Sequence, residues 1–254
     1  MEAYASFKRH VKDIHNAAAI VIEKQLLKKP VWPELRESDA GADGFKLEFP
    51  EPVIIWNAPM RGSSNSSARR AIVMDGCFYF KGDAFDKGNA SLEVYGMSRP
   101  DGGCRLELLE SMHFDIEANA LHQSPFHPMF HVQFGKNHRW DIAHLQQRVA
   151  ELARTDFDKV VIDRSIQMPT RDVRIPTPQM DYLSMLVMVV ADFFCEKNST
   201  HEVKAGFKRL IEKVASSRNA ARVGQQAREL EGRWAKHEND KLFGAVHWYQ
   251  ESCR

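Results

Sequence analysis

Imidazole and carboxylate side chains recur at alternate positions in two short stretches near the middle of this sequence. His113 and Asp115 belong to the first stretch, and His131 follows in the second, within HPMFHVQFG. Two imidazoles and one carboxylate suit zinc, manganese or iron and leave positions open for water and substrate. Without a metal, a histidine oriented by an aspartate can act as a general base. The residue types therefore indicate a metal site or an acid–base site.

These side chains meet only if the two stretches form neighbouring strands. Successive side chains of a strand point to opposite faces, so the apolar residues around His113 and Asp115 would enter a core while both polar residues share the other face. The second stretch repeats this alternation, and pairing would merge the two polar faces into one surface. A satisfied polar network, or an ordinary solvent face, would show the same pattern. The further residues expected on this surface are Gln133, Glu117 and His127.

Two arginines lie in the segment QMPTRDVRIPTP, whose three prolines require an extended backbone. An extended arm leaves Arg171 and Arg174 little freedom, and a planar guanidinium matches phosphate or carboxylate. Arg171 and Arg174 are therefore better candidates for an anion site than any other arginines of the sequence. Pairing with Asp163, Asp172 or Glu117 is the competing explanation.

Composition excludes several classes of protein. The 254 residues are 43% apolar and 27% charged, which is normal for a globular chain that buries a sizeable core. The 35 basic and 34 acidic residues nearly cancel, so the whole molecule has no field that would attract nucleic acid, although a local basic patch could. No apolar run is long enough to span a bilayer, and the N-terminus lacks the features of a signal peptide. The sequence predicts a cytoplasmic protein without membrane contact.

Several common signatures of catalysis and metal binding are missing. The sequence contains no GxxxxGK[ST] loop, no GxGxxG after a strand, no GxSxG elbow and no HExxH. Nucleotide hydrolysis by a P-loop, a Rossmann cofactor and an ordinary α/β-hydrolase mechanism are therefore disfavoured. The four cysteines form no CxxC pair, so neither a zinc ribbon nor a disulfide framework is indicated.

Periodicity predicts the elements that would position these residues. A three-to-four spacing of apolar residues predicts a helix over Glu2–Lys29, and a polar connector follows from Glu34 to Gly44. Short apolar runs separated by turns rich in Gly, Asp, Asn and Pro then predict an antiparallel meander. Trp140–Arg154 again has helical spacing, with Asp158–Ile162 as one more strand.

From Gln179 onward the pattern is helical. The segment up to Phe194 is apolar on nearly every side, Thr200 can cap the next helix, and Ser216 and Ser217 mark a turn before a last helix. We therefore expect an α+β fold with an N-terminal helix, a curved antiparallel sheet and a helical C-terminal portion. Residues 1–165 would form the helix and sheet domain, and residues 166–254 the extended arm and the helices packed on it.

The order of these motifs resembles a group of uncharacterised bacterial proteins. The resemblance rests on His113-Phe-Asp, on HPMFHVQFG and on RIPTP before an apolar helix, and it covers roughly Met112 to Phe194. The group shows a His-containing strand, an HPxxHxQxG type motif and an Arg-Pro segment that opens a helix. Its members tend to lie in mobile-element or phage-defence neighbourhoods. The resemblance implies no established activity, but it favours a bacterial cytoplasmic protein that works beside others.

Two functional hypotheses of different class follow. The first is a binding or accessory protein, in a bacterial defence system by the resemblance, whose His/Asp-lined pocket takes a partner chain, a second copy or an anionic ligand such as nucleic acid. The second is a metal-dependent hydrolase acting on phosphoester or nucleotide, with His113, Asp115 and His131 as ligands or acid–base groups and Arg174 steadying charge. The lack of a catalytic signature favours the first. A divalent metal is the candidate cofactor.

Overall fold

The computed structural model describes residues 2–24, 26, 30–39, 44–60, 68–81, 84–117, 130–135, 138–165, 173–177 and 181–220. The helices of this part are α1 (Glu2–Ile22), α2 (Ile142–Ala153), α3 (Tyr182–Phe194) and α4 (His201–Ala220). Its strands are β1 (Arg36–Asp39), β2 (Gly44–Glu48), β3 (Val53–Pro59), β4 (Arg69–Lys81), β5 (Ala84–Ser98), β6 (Cys104–Glu117), β7 (Phe130–Phe134), β8 (Val160–Asp163) and β9 (Ile175–Pro176).

Three long strands form the centre of one open, curled sheet. β4, β5 and β6 contain 13, 15 and 14 residues and pair antiparallel in series, so they extend beyond any single neighbour. β4 therefore pairs with β3 along one half and with β2 along the other. In the same way β6 pairs with β8 near its start and with β7 near its end. The β6–β8 pairing is parallel, and the other described pairings are antiparallel.

Helices pack on both faces of this sheet. α1, α3 and α4 pack on the first face and share one apolar core with it, which includes the fully buried Ile14, Met74 and Leu186. On the second face, α2 buries Leu145 and Val149 against a separate apolar cluster from β3, β4, β5, β6 and β8. We call the remainder of that second face the polar half, because its side chains are mostly ionisable or amide groups.

The α+β architecture with its N-terminal helix, curved antiparallel sheet and C-terminal helices is confirmed. Local hydrogen bonds explain two of the helix starts. The Asp141 carboxylate accepts from the His144 amide at 2.7 Å, and the Asp181 carboxylate accepts from the Ser184 amide at 2.8 Å. None of the described helices has both the length and the apolar composition that crossing a membrane requires.

Three boundaries differ from the prediction. The connector predicted before Gly44 contains β1, whose residues RESD have little strand propensity and are held by pairing with β2. The first helix ends at Ile22 rather than Lys29. α4 continues through the predicted turn at Ser216 and Ser217 to Ala220, so that turn is wrong. The last predicted helix lies outside the described residues.

Gly76 allows β4 and α3 to approach closely. A Cβ atom on Gly76 would lie 2.7 Å from the Cβ of the fully buried Tyr182, so one of the two elements would have to move. We expect Gly76→Ala to lower the free energy of unfolding by about 2 kcal/mol, which is typical of an overpacked core. Urea denaturation measures this loss. Gly96→Ala is the control, because its Cβ would meet Leu109 at an ordinary 3.6 Å; equal losses in both variants would contradict the argument.

Candidate functional site

The polar half is organised in rows that run across the strands. Strand register aligns Asp75, Ser91, His113 and Gln133 in one row on β4, β5, β6 and β7. The next row contains Cys77, Asn89, Asp115 and His131. Since directly opposed side chains of paired strands share a face, the two polar stretches of the sequence do merge into one surface.

His113, Asp115 and His131 converge where β6 and β7 pair. The Nε2 atom of His113 lies 3.0 Å from Oδ1 of Asp115, and the Nε2 atom of His131 lies 3.2 Å from Oδ2. The side chains of the two histidines are only 10% and 1% exposed, whereas that of Asp115 is 27% exposed. We call these three residues the His–Asp–His cluster. The structure brings together the residues that the sequence singled out, and their chemical role stays a prediction.

The electrostatics of the cluster follow from this shared carboxylate. Burial acts to raise the pKa of Asp115, but hydrogen bonding and charge from His113 and His131 outweigh burial and hold that pKa well below its usual range. An ionised carboxylate can only accept hydrogen bonds, so a neutral His113 must present its Nε2–H to it. Nδ1 of His113 is then an acceptor, and it is buried without a hydrogen-bond partner in the described part of the chain.

The cluster does not have the arrangement of a metal site as it stands. Among the residues that the structure describes, no three His, Cys, Asp or Glu side chains are arranged to hold a metal ion. The two Nε2 atoms contact different oxygens of Asp115 instead of pointing at one shared position. The predicted metal site therefore stays a prediction. It would need these side chains to rearrange, or a ligand from outside the described residues.

The structure describes two of the other predicted site residues, Gln133 and Arg174. Gln133 is buried directly opposite His113 in the register of β6 and β7. Arg174 immediately precedes β9, the strand that pairs with β7, and is exposed to solvent. His127 and Arg171 lie outside the described residues.

Sequence reasoning missed Asp75, which is in the same row as His113. Nη1 of Arg139 lies 2.8 Å from Oδ2 of Asp75, and the same guanidinium contacts Glu48. Burial raises the pKa of Asp75 to about 6, against the lowering effect of Arg139. The available signal was a lone carboxylate inside the apolar run AIVMDG, because a buried carboxylate needs a cationic partner.

Glu93 attaches the chain after β7 to the sheet. Its carboxylate accepts hydrogen bonds from the Tyr95 hydroxyl, from the ring of His138 and from Nη2 of Arg164 at 2.9 Å. Burial acts to raise the pKa of Glu93, but these donors outweigh it and lower that pKa. Arg164 also donates to the Trp140 carbonyl at 2.8 Å. The network lies at the boundary between the polar half and the apolar cluster under α2.

Comparisons with known proteins found no relative from which a function could be inferred. A scan against models of protein families found no match, and neither did searches of curated proteins and of solved structures.

Proposed function

We propose that this chain is a binding protein whose polar half holds an anionic ligand at the His–Asp–His cluster. The observation that supports this most directly is the His113 ring, which is fixed at Nε2 by Asp115 and has no described partner at Nδ1. A buried polar atom left unsatisfied costs about 1–3 kcal/mol, and a ligand contact at Nδ1 would remove that cost. The partly exposed Asp115 gives the cluster an opening to solvent.

The charges around the cluster favour an anion. Each carboxylate of the polar half whose side chain the structure describes is already paired within the protein, so none is left to attract a cation. Two exposed cations flank the cluster, and neither has an ion-pair partner among the described residues. They are Lys87, whose Nζ lies 5.2 Å from the centre of the Tyr79 ring, and Arg174. The paired carboxylates are Glu48, Asp75, Glu93 and Asp115.

When an anion binds at His113, the imidazole ring would take up a proton. With Nε2–H held by the Asp115 carboxylate, an anion can contact Nδ1 only if Nδ1 is also protonated, because two acceptors repel. The ionised Asp115 stabilises the resulting imidazolium. Because one proton is taken up together with the anion, affinity should increase as the pH falls, by up to about tenfold per pH unit.

The resemblance over Met112 to Phe194 favours a bacterial cytoplasmic protein that works beside other proteins. A bacterial cytoplasmic protein that works beside others would use the bound anion to recognise a partner chain or a second copy of itself. In a defence system, nucleic acid is one anion that such a protein would meet.

Titration calorimetry with inorganic pyrophosphate tests the proposal. We expect the wild type to bind, and His113→Asn to bind at least about tenfold more weakly, because asparagine cannot carry the proton. His201→Asn is the matched control, since His201 is exposed on α4 and should leave the affinity unchanged. No binding of millimolar pyrophosphate by the wild type, or equal affinities in all three proteins, would refute the proposal.

A hydrolase acting on phosphoester or nucleotide is the second candidate, and one observation favours it. The pKa of Asp75 is raised and that of Asp115 is lowered, on one face of the sheet. Carboxyl groups whose pKa values are driven apart are the usual pattern of paired acid–base roles. Asp75 would donate a proton, the His113 and Asp115 pair would activate water, and Arg174 would steady the substrate charge.

Turnover separates this candidate from simple binding. Bis(p-nitrophenyl) phosphate should be cleaved by the wild type, with zinc or manganese added or without, and not by His113→Asn. Elemental analysis of protein purified without chelator, beside the double substitution His113→Ala and His131→Ala, tests for a resident metal. Pyrophosphate binding without any turnover would leave the binding function and exclude the hydrolase.

A further inference from the structure

A cavity lies on the opposite side of the sheet from the polar half. It is lined by α1 and by residues 32–35, and its volume is about 420 Å³. Sites for small molecules usually measure about 300–1,000 Å³, so this cavity has room for one such molecule. We call it the α1 pocket. It shares no described residue with the polar half and is independent of the function proposed there.

Two stacked rings form a rigid wall of this pocket. The ring centres of His15 and Trp32 are 4.4 Å apart, and their planes differ by 18°. His15 is held from behind by a contact of 2.8 Å between its Nε2 and the hydroxyl of the fully buried Tyr182. Burial lowers the pKa of His15 to about 3, so the ring is neutral and adds no charge to the wall. Flat, fixed rings of this kind favour a planar partner.

The rim of the pocket is positively charged. Three cations, from Lys8, Arg9 and Lys12, line it together with one carboxylate, that of Glu34. Glu34 lies 3.2 Å from Lys12 Nζ, so this carboxylate is already paired. Arg9 is exposed and has no hydrogen-bond or ion-pair partner in the described part of the chain. An excess of positive charge beside an apolar cavity selects an anionic group on the ligand.

Trp32 supplies a further indication. Its indole Nε1 is buried and has no hydrogen-bond partner among the described residues. An indole N–H can only donate, so the missing partner is an acceptor, and the oxygens of an acidic group are acceptors. We propose that the α1 pocket binds a small planar aromatic molecule that carries a carboxylate, sulfonate or phosphate group.

The fluorescent probe 8-anilinonaphthalene-1-sulfonate combines aromatic rings with one sulfonate and tests this proposal. We expect saturable binding of one probe per chain, and Arg9→Glu should weaken it by about tenfold through charge reversal at the rim. Arg209→Glu is the matched control, because Arg209 is exposed on α4 away from the pocket. N-phenyl-1-naphthylamine, which lacks the sulfonate, should bind equally to the wild type and to Arg9→Glu.

A blocking variant tests the location. Asn16 lines the pocket and is exposed, so Asn16→Trp should fill the opening without disturbing the core and should abolish saturable binding. Equal probe affinity in the wild type, Arg9→Glu and Asn16→Trp would overturn the proposal, as would the absence of saturation. His113→Asn should leave probe binding unchanged, so failure of this inference and failure of the proposed function are distinguishable.

Discussion

Replacing Glu93 by alanine is expected to lower the free energy of unfolding by about 4 kcal/mol, because it leaves a buried arginine without its counter-charge. The Glu93 side chain is 8% exposed and that of Arg164 is 10% exposed, so water cannot replace the lost carboxylate. The Tyr95 hydroxyl and the His138 ring lose their acceptor in the same step. Thermal and urea denaturation, monitored by circular dichroism, measure the loss.

A matched glutamate shows whether burial causes this effect. Glu107 lies on β6 and pairs with an arginine as Glu93 does, with 2.7 Å between its Oε1 and Nε of Arg105, but its side chain is 59% exposed. Exposed ion pairs contribute at most about 1 kcal/mol, so Glu107→Ala should change stability little. The loss of unfolding free energy in Glu93→Gln should lie between the losses in the two alanine variants, because the amide keeps one acceptor oxygen. A loss in Glu93→Ala no larger than in Glu107→Ala would contradict the assigned role of the network.

The convergence of His113, Asp115 and His131 could be predicted because it depends on local pattern alone. Alternation with period two determines which side chains share a face, and the two stretches follow each other closely enough in sequence to pair as neighbouring strands. The observed register of β6 and β7 places Asp115 opposite His131. The same local reasoning predicts the apolar helix from Tyr182 to Phe194, whose continuous apolar run needs no long-range information.

The rest of the candidate site depends on register between strands that are distant in sequence. Asp75 reaches the row of His113 only through two successive pairings, β4 with β5 and β5 with β6. Arg139 and Arg164 lie outside the strands, and their contacts with Asp75 and Glu93 join residues separated by more than sixty positions. Sequence spacing does not encode such contacts. β1 was missed for the same reason, since its pairing with β2 rather than its residue types makes it a strand.

The substitution Asp115→Asn is expected to abolish pyrophosphate binding and to lower the free energy of unfolding at pH 7 by about 3 kcal/mol. The amide offers one acceptor oxygen and one donor where the carboxylate offered two acceptors, so a buried imidazole loses its partner and the charge that holds its proton disappears. Calorimetry with pyrophosphate and urea denaturation measure the two effects. Asp156→Asn is the control, because Asp156 is exposed and pairs with the exposed Lys159, and it should change neither quantity.

The pH dependence of this variant tests the cause of the stability loss. The two histidines hold the pKa of Asp115 well below the value of about 3.9 that it has in the unfolded chain. As the pH falls, the unfolded chain therefore takes up the proton first, and the stability contributed by the carboxylate is present above about pH 4 and lost below it. The difference in unfolding free energy between wild type and Asp115→Asn should persist down to about pH 5 and shrink below about pH 4. A difference that stays constant to about pH 2 would mean that the ionised carboxylate does not hold the His–Asp–His cluster together.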